Sequence, residues 1–177
     1  MDQFLAGVES RAYRLAMVAT SSREDALDIV QDAMLRLVKR YGDRTADDWP
    51  PLFHRILQSV IRDWYRRSKV RNRWRQFFRD RNTDGEMLED PIEATAATGD
   101  PEPGRQLANS QAIKALDAVL HQLPLRQQQA FLLRQWEGLS VAETAKAMGC
   151  GEGSVKTHTS RAVKVLREQL QEYWEDA

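Results

Sequence analysis

Gly138-Leu139-Ser140-Val141-Ala142-Glu143-Thr144-Ala145-Lys146-Ala147-Met148-Gly149-Cys150-Gly151-Glu152-Gly153-Ser154-Val155-Lys156-Thr157-His158-Thr159-Ser160-Arg161 holds two helical periodicities separated by a glycine turn. Ser140 and Glu143 have the spacing of a capping box, in which a hydroxyl and a carboxylate each satisfy a backbone N–H at a helix start. Val141, Ala145 and Met148 then share one face, and Gly149 stands where a left-handed residue ends a helix. Beyond Cys150-Gly151, a second stripe follows at Val155, Thr159, Ala162 and Leu166. Thr157, Ser160, Arg161 and Lys164 point the other way, with no carboxylate between Glu152 and Glu168. A packed helix whose free face carries hydroxyls and positive charge suits a major groove, so a DNA-binding helix-turn-helix is expected. A plain helical hairpin with a solvated basic face has the same local pattern.

Upstream, Ile113, Leu116, Leu120 and Leu123 repeat at helical spacing, and Pro124 restarts a helix through Phe131, Leu132 and Trp136 to Gly138. Downstream, the last helix continues through Leu170 towards Tyr173 and Trp174. Residues 109–177 therefore predict a small all-α domain of four helices. Residues 80–108 have another texture: Asp84-Gly85, Asp90-Pro91, Gly99-Asp100-Pro101 and Pro103-Gly104 punctuate an acidic run with few large apolar groups. Such a segment cannot offset its ordering entropy by burial and is expected to be a flexible linker.

Residues 1–79 predict a second helical domain. Phe4, Val8, Ala12 and Leu15 mark a first helix ending near Thr20. The next helix has Ser22 as cap, Glu24 and Asp25 in its first turn, Lys39 and Arg40 in its last, and Gly42 after it. Its expected core stripe is Leu27, Val30, Met34, Leu37 and Tyr41. Asp28, Gln31, Asp32, Leu35 and Lys39 lie away from that stripe. A lone exposed leucine needs no explanation, but one framed by aspartates and a glutamine also suits a protein-binding face. Asp48 is placed to cap a third helix that tolerates Pro50 and Pro51 in its first turn. Phe53, Ile56, Val60 and Trp64 form its expected core face, opposite Arg55, Gln58, Ser59, Arg62, Tyr65 and Arg66.

Lys plus Arg equals Asp plus Glu at 26 each, a balance that would argue against nucleic-acid binding if the charge were evenly spread. It is not: residues 1–75 hold 15 basic and 10 acidic side chains, residues 76–108 hold 3 and 8, and residues 109–177 hold 8 and 8. Seven of the fourteen residues from Arg62 to Arg75 are basic, interleaved with or followed by Trp64, Tyr65, Trp74, Phe77 and Phe78. Such a stretch suits phosphate, with aromatic faces able to stack unpaired bases.

Enzymatic chemistry is not indicated: no catalytic carboxylate pair, nucleophile triad or phosphate-binding loop stands in a fitting context. Gly149-Cys150-Gly151 lacks the Gly-Lys-Ser/Thr ending of a phosphate cradle. One cysteine and three scattered histidines provide no metal-ligand cluster, so neither metal nor cofactor is expected. With no apolar run of membrane-span length and no signal pattern, a cytoplasmic protein without membrane insertion is expected.

Two motif blocks carry a resemblance. The first is Tyr13-Arg14-Leu15-Ala16, Arg23-Glu24-Asp25-Ala26, Asp28-Ile29-Val30-Gln31-Asp32 and Arg55-Ile56 through Asp63-Trp64-Tyr65-Arg66-Arg67. The second is Leu123-Pro124-Leu125-Arg126-Gln127, Gly138-Leu139-Ser140, Glu143-Thr144-Ala145 and Gly153-Ser154-Val155-Lys156-Thr157. In this order and spacing they resemble regions two and four of the bacterial extracytoplasmic-function sigma factors.

The resemblance implies a promoter-specificity subunit, not an enzyme, that docks on core RNA polymerase, binds promoter DNA as duplex and as melted non-template strand, and initiates transcription. Asp28, Gln31, Asp32 and Leu35 would lie against the polymerase clamp helices. The loop Gly42–Asp48 and Ser59 would hold a flipped-out base of the downstream element, with Arg62, Arg66 and Arg67 on its strand. Ser154, Lys156, Thr157, His158, Ser160 and Arg161 would contact the upstream element. The chain departs from the family pattern at Ser59, where Asn is frequent. At Leu52 it lacks the family tryptophan, Trp49 being displaced by three residues. It departs again at Glu152 and at His158-Thr159. Many members are held by an anti-sigma factor, which the resemblance admits as a further partner. A polymerase-independent helix-turn-helix regulator, and a helical adaptor or anti-sigma protein that does not touch DNA, are the alternatives.

Overall fold

A computed structural model describes residues 1–79 and 103–171 and, within these, the side chains of residues 1–70 and 111–171. Every regular element among the described residues is helical. Helix α1 spans Asp2–Thr20 and ends at Ser21, whose φ of 55° is left-handed and whose N–H donates to the Met17 carbonyl. One residue later Ser22 opens helix α2, Arg23–Tyr41, its hydroxyl accepting from the Asp25 N–H at 3.3 Å. So short a connection folds α1 and α2 into a helical hairpin. A single 3-10 turn, Ala46–Asp48, leads into α3, Trp49–Arg79. There the Asp48 carboxylate accepts from the Thr45 hydroxyl at 2.9 Å. At 31 residues α3 is about 46 Å long.

Leu37, Phe53, Leu57 and Ile61 are fully buried where α2 and α3 meet, and each such burial contributes about 1.5–3 kcal/mol. The buried arc of α2 is centred on Ala26, Val30, Ala33 and Leu37, not on the large apolar residues alone. Alanine lets the backbones approach closely. The arc therefore turns away from Leu27, expected in the core but 49% exposed.

Helix α4 spans Pro103–Gln122 and begins inside the stretch read as linker. The rest of that stretch, residues 80–102, lies outside the described residues, as do Tyr173 and Trp174 and the side chains of Arg71, Arg73, Trp74, Arg75, Phe77 and Phe78. Ile113, expected in the stripe of α4, is 65% exposed, whereas Leu120 and Leu123 are buried. Helix α5, Leu125–Phe131, widens into a π turn over Leu132–Trp136, where the Glu137 N–H reaches the Leu132 carbonyl. No residue pattern had announced that turn. Helix α6, Val141–Met148, carries the complete Ser140/Glu143 capping box and ends on Gly149 at φ 63°. Helix α7 runs over Glu152–Gln169.

The helix-turn-helix has its own small apolar cluster of Ala130, Leu133, Ala145, Ala147, Met148 and Val155. The two halves of the chain are nonetheless packed together. Val119 and Leu120 of α4, Leu123 just after it, and Ala162, Leu166 and Leu170 at the end of α7 belong to the same buried cluster as the core of α1 to α3. Helix α6 lies against α3.

Candidate nucleic-acid interface

Helix α7 buries Val155, Ala162 and Leu166 and leaves Ser154, Lys156, Thr157, Ser160, Arg161 and Lys164 in solvent. One face is thus held and the other is free, as a groove-reading helix requires. Thr157 already donates its hydroxyl to the Gly153 carbonyl at 2.9 Å, so towards a base edge it offers lone pairs. His158 sits apart from this set. It is half-buried, and burial, with Arg126 and Arg161 nearby, lowers its pKa and keeps the ring neutral.

On α3 the expected residues divide. Arg66 and Arg67 are exposed; Arg66 pairs with Asp63 at 3.5 Å, and Arg67 Nε donates to the Asp63 carbonyl at 3.3 Å. Lys69 lies over the Tyr65 ring, 4.8 Å from its centroid. Ser59 lines a pocket of about 210 Å³ with Arg36, Arg40, Tyr41, Leu52, Arg55 and Ile56. Arg36 is paired with Asp32, which leaves the Arg40 and Arg55 guanidiniums and Tyr41 to suit an anionic strand with an extruded base. Trp49, the displaced tryptophan, is half-buried against Phe4 and donates its indole N–H to the Tyr41 carbonyl at 3.2 Å. It serves packing in this structure and does not line the Ser59 pocket.

Gln58 and Arg62 were expected on a solvent face, and the structure places them under the helix-turn-helix instead. Gln58 is 1% exposed. Arg62 Nη1 donates to the Met148 carbonyl at 2.5 Å, where Arg126 Nη1 also donates at 2.9 Å. That carbonyl is at the negative end of α6, beside Gly149, whose φ of 63° is the left-handed conformation that suits glycine. Burial and the neighbouring Arg126 depress the Arg62 pKa.

Two turns earlier on α3, His54 Nε2 faces Glu137 Oε2 at 3.8 Å, with side chains 13% and 3% exposed. His54 Nδ1, Glu137 Oε1 and Gln58 Oε1 have no protein hydrogen-bond partner. Burial, reinforced by Arg11 and opposed by Glu143, lowers the His54 pKa. Burial, opposed by Arg11 and Arg14, raises that of Glu137. Both groups are thus pushed towards their neutral forms. Gln128 links α5 to α1 and α4, its Nε2 donating to the Val18 and Leu120 carbonyls at 2.9 and 3.1 Å.

The outer face of α2 carries the expected Asp28, Gln31, Asp32 and Leu35, with Leu35 50% exposed. Leu27 and Val38, at 49% and 42% exposed, extend it into an apolar stripe that the sequence reading missed. Asp32 is not a free carboxylate, since Arg36 holds it through two hydrogen bonds of 2.8 Å. Among the described residues no cluster of His, Cys, Asp and Glu could hold a metal, and no helix is long and apolar enough to cross a membrane.

Comparison with known proteins places these surfaces in a family. The profile of Sigma-70, region 4 matches residues 113–166, which contain the helix-turn-helix. The ECF RNA polymerase sigma factor BldN of Streptomyces coelicolor is 33% identical over 160 residues, covering 89% of this chain and 55% of that protein; the chain thus spans just over half of that relative's length. The RNA polymerase sigma-E factor of Streptomyces avermitilis is 30% identical over 151 residues, covering 83% of this chain and 72% of that protein. The sigma factor RpoE of Bartonella quintana, crystallised with the anti-sigma factor NepR, superposes with a TM-score of 0.65 over 96% of both chains at 23% identity, and so shares the fold. With a helix-turn-helix of the region-4 type and identity of this extent to sigma factors along both halves, the chain belongs to the extracytoplasmic-function RNA polymerase sigma factors.

Proposed function

We propose that the chain is a promoter-specificity subunit of bacterial RNA polymerase, which binds core enzyme, recognises promoter DNA and initiates transcription. The observation that carries this reading is the divided helix α7, fully buried at Val155, Ala162 and Leu166 and free at Lys156, Thr157, Ser160 and Arg161. Ser154, Lys156, Thr157, Ser160 and Arg161 contact the upstream element, with His158 at the flank of that face. Arg62, Arg66 and Arg67 follow the melted strand of the downstream element, and the Ser59 pocket receives an extruded base; such extrusion costs a few kcal/mol and needs a cavity to recover it. Leu27, Leu35 and Val38, with Asp28, Gln31 and Asp32 beside them, dock on core polymerase.

In this reading the protein has no catalytic activity of its own, works in the cytoplasm and is open to control by an anti-sigma factor. Residues 1–79 serve core binding and melting, residues 109–177 serve the upstream element, and the acidic segment joins them. Transcription in vitro with core enzyme on a promoter library tests the proposal. Start sites sharing an upstream motif are expected, and no transcription above core enzyme alone would reject it.

A further inference from the structure

Helix α1, helix α4 and the π turn after α5 surround a pocket of about 160 Å³, lined by none of the residues assigned to DNA or polymerase. Leu15 and Val18 recur at helical spacing on α1, as do Ile113, Leu116 and Leu120 on α4, so two apolar stripes contribute to one interior. Leu15, Leu120 and Leu132 are buried and form its floor. Arg14, Ile113, Asp117 and Trp136 are exposed and form its rim. Gln128 donates to the Val18 and Leu120 carbonyls, one on each helix, and so fixes the spacing of the two walls.

Size and charge define what fits. An apolar cavity of about 150 Å³ holds benzene, and poorly ordered water in such a site is displaced with a gain by an apolar group. The rim is polar on one side. Arg14 lies over the Trp136 ring, 5.9 Å from its centroid, and among the described residues it forms no ion pair. Glu137, which feels the Arg14 charge, is pushed towards its neutral form by burial. Asp117, also on the rim, lies against His121, its Oδ2 3.6 Å from Nδ1. The uncompensated charge at the mouth is therefore positive. An apolar interior with one placed polar group is the usual composition of a small-molecule site.

We propose that this pocket binds a medium-chain monocarboxylate, with an apolar body of about six to eight carbons inside and the carboxylate on Arg14 at the mouth. Such a site is independent of promoter binding. Titration calorimetry of the full-length chain with straight-chain carboxylates from butanoate to dodecanoate tests it. One-to-one binding is expected, tightening about fourfold, or ~0.8 kcal/mol, per added methylene up to octanoate and levelling off beyond it, where further carbons stay in water. Octan-1-ol should bind about fivefold more weakly than octanoate, and Arg14→Gln should remove that difference by weakening octanoate alone. Leu116→Phe, which fills the cavity, should abolish binding of both. If circular dichroism shows that this variant loses helix, Ile113→Trp, at an exposed position on the rim, takes its place with the same expected outcome. No saturable binding, affinity that climbs without a break to dodecanoate, or unchanged binding in the blocked variant would overturn the proposal. Tighter binding of octylamine or of N-acetylphenylalanine amide would overturn it as well, the first in favour of a cation on Asp117 and the second in favour of a protein side chain.

Discussion

Leu35 and Arg161 show how far single residues can be read. Leu35 stands out because a leucine between Asp28, Gln31 and Asp32 breaks the pattern of its helix, and the structure leaves it half in solvent. Leu27 is different. Its apolarity assigns it to the core, yet it lies about 100° from the middle of the buried arc, because Ala26 and Ala33 set the direction of approach. Small residues weigh little in a count of large apolar side chains and decide packing all the same. Leu27→Ala with Leu35→Ala should weaken core-polymerase binding at least about tenfold, or ~1.4 kcal/mol, at unchanged helicity, measured by titration of labelled protein. Unchanged affinity would remove α2 from the docking surface. Arg161→Ala should cost about 1–3 kcal/mol on the preferred promoter and much less on unrelated duplex if the side chain reads a base edge. An equal loss on both would make it a phosphate contact.

At the scale of the element, caps and stops were legible because they are local chemistry. Ser140 and Glu143 form their box, Ser22 caps α2, and Gly149 takes the left-handed conformation for which its residue type is suited. Removing the box by Ser140→Ala should lower stability by about 1 kcal/mol in urea unfolding. A change confined to a few tenths would mean that α6 is fixed by its packing against α3 and not by its cap. The π turn over Leu132–Trp136 was not legible. Apolar spacing tolerates one extra residue in a turn, and only the neighbours decide whether that residue is accommodated. Here it accompanies the placing of Glu137 against His54 and the exposure of Trp136, over whose ring Arg14 lies at 5.9 Å.

At the scale of the whole molecule, the His54–Glu137 contact lies between α3 and the second half of the chain, and the packed, closed arrangement of the two halves should depend on pH through two opposing contributions. In Glu137→Gln only His54 remains of the pair. Its closed-state pKa lies below 6.5, so its contribution to closure is complete above that value and is lost as pH falls through the closed-state pKa. In His54→Gln the sign reverses, because the raised Glu137 pKa supports closure in acid and loses it as pH rises through the closed-state value. Arg11 from α1 acts on both groups, Arg14 from α1 on Glu137, and Glu143 from α6 on His54. Energy transfer between dyes on the two halves, measured between about pH 7.5 and pH 4, should therefore fall on acidification in the first variant and rise in the second. Shifts of the same sign in both would exclude the pair as the cause.

The sequence by itself determined most of the helices, the caps at Ser22 and Ser140, the stop at Gly149, the free face of α7 and membership of a sigma-factor pattern, because each depends on residues within a few turns of one another. Only the tertiary structure decided that Gln58 and Arg62 lie beneath the helix-turn-helix, that Leu27 belongs to the outer stripe, and that the two halves share a buried cluster. Arg62 reaches Met148 across 86 residues of chain. A basic side chain on a helix face has the same sequence signature whether it meets water, phosphate or a carbonyl brought from elsewhere in the chain, and the choice among them is made by packing.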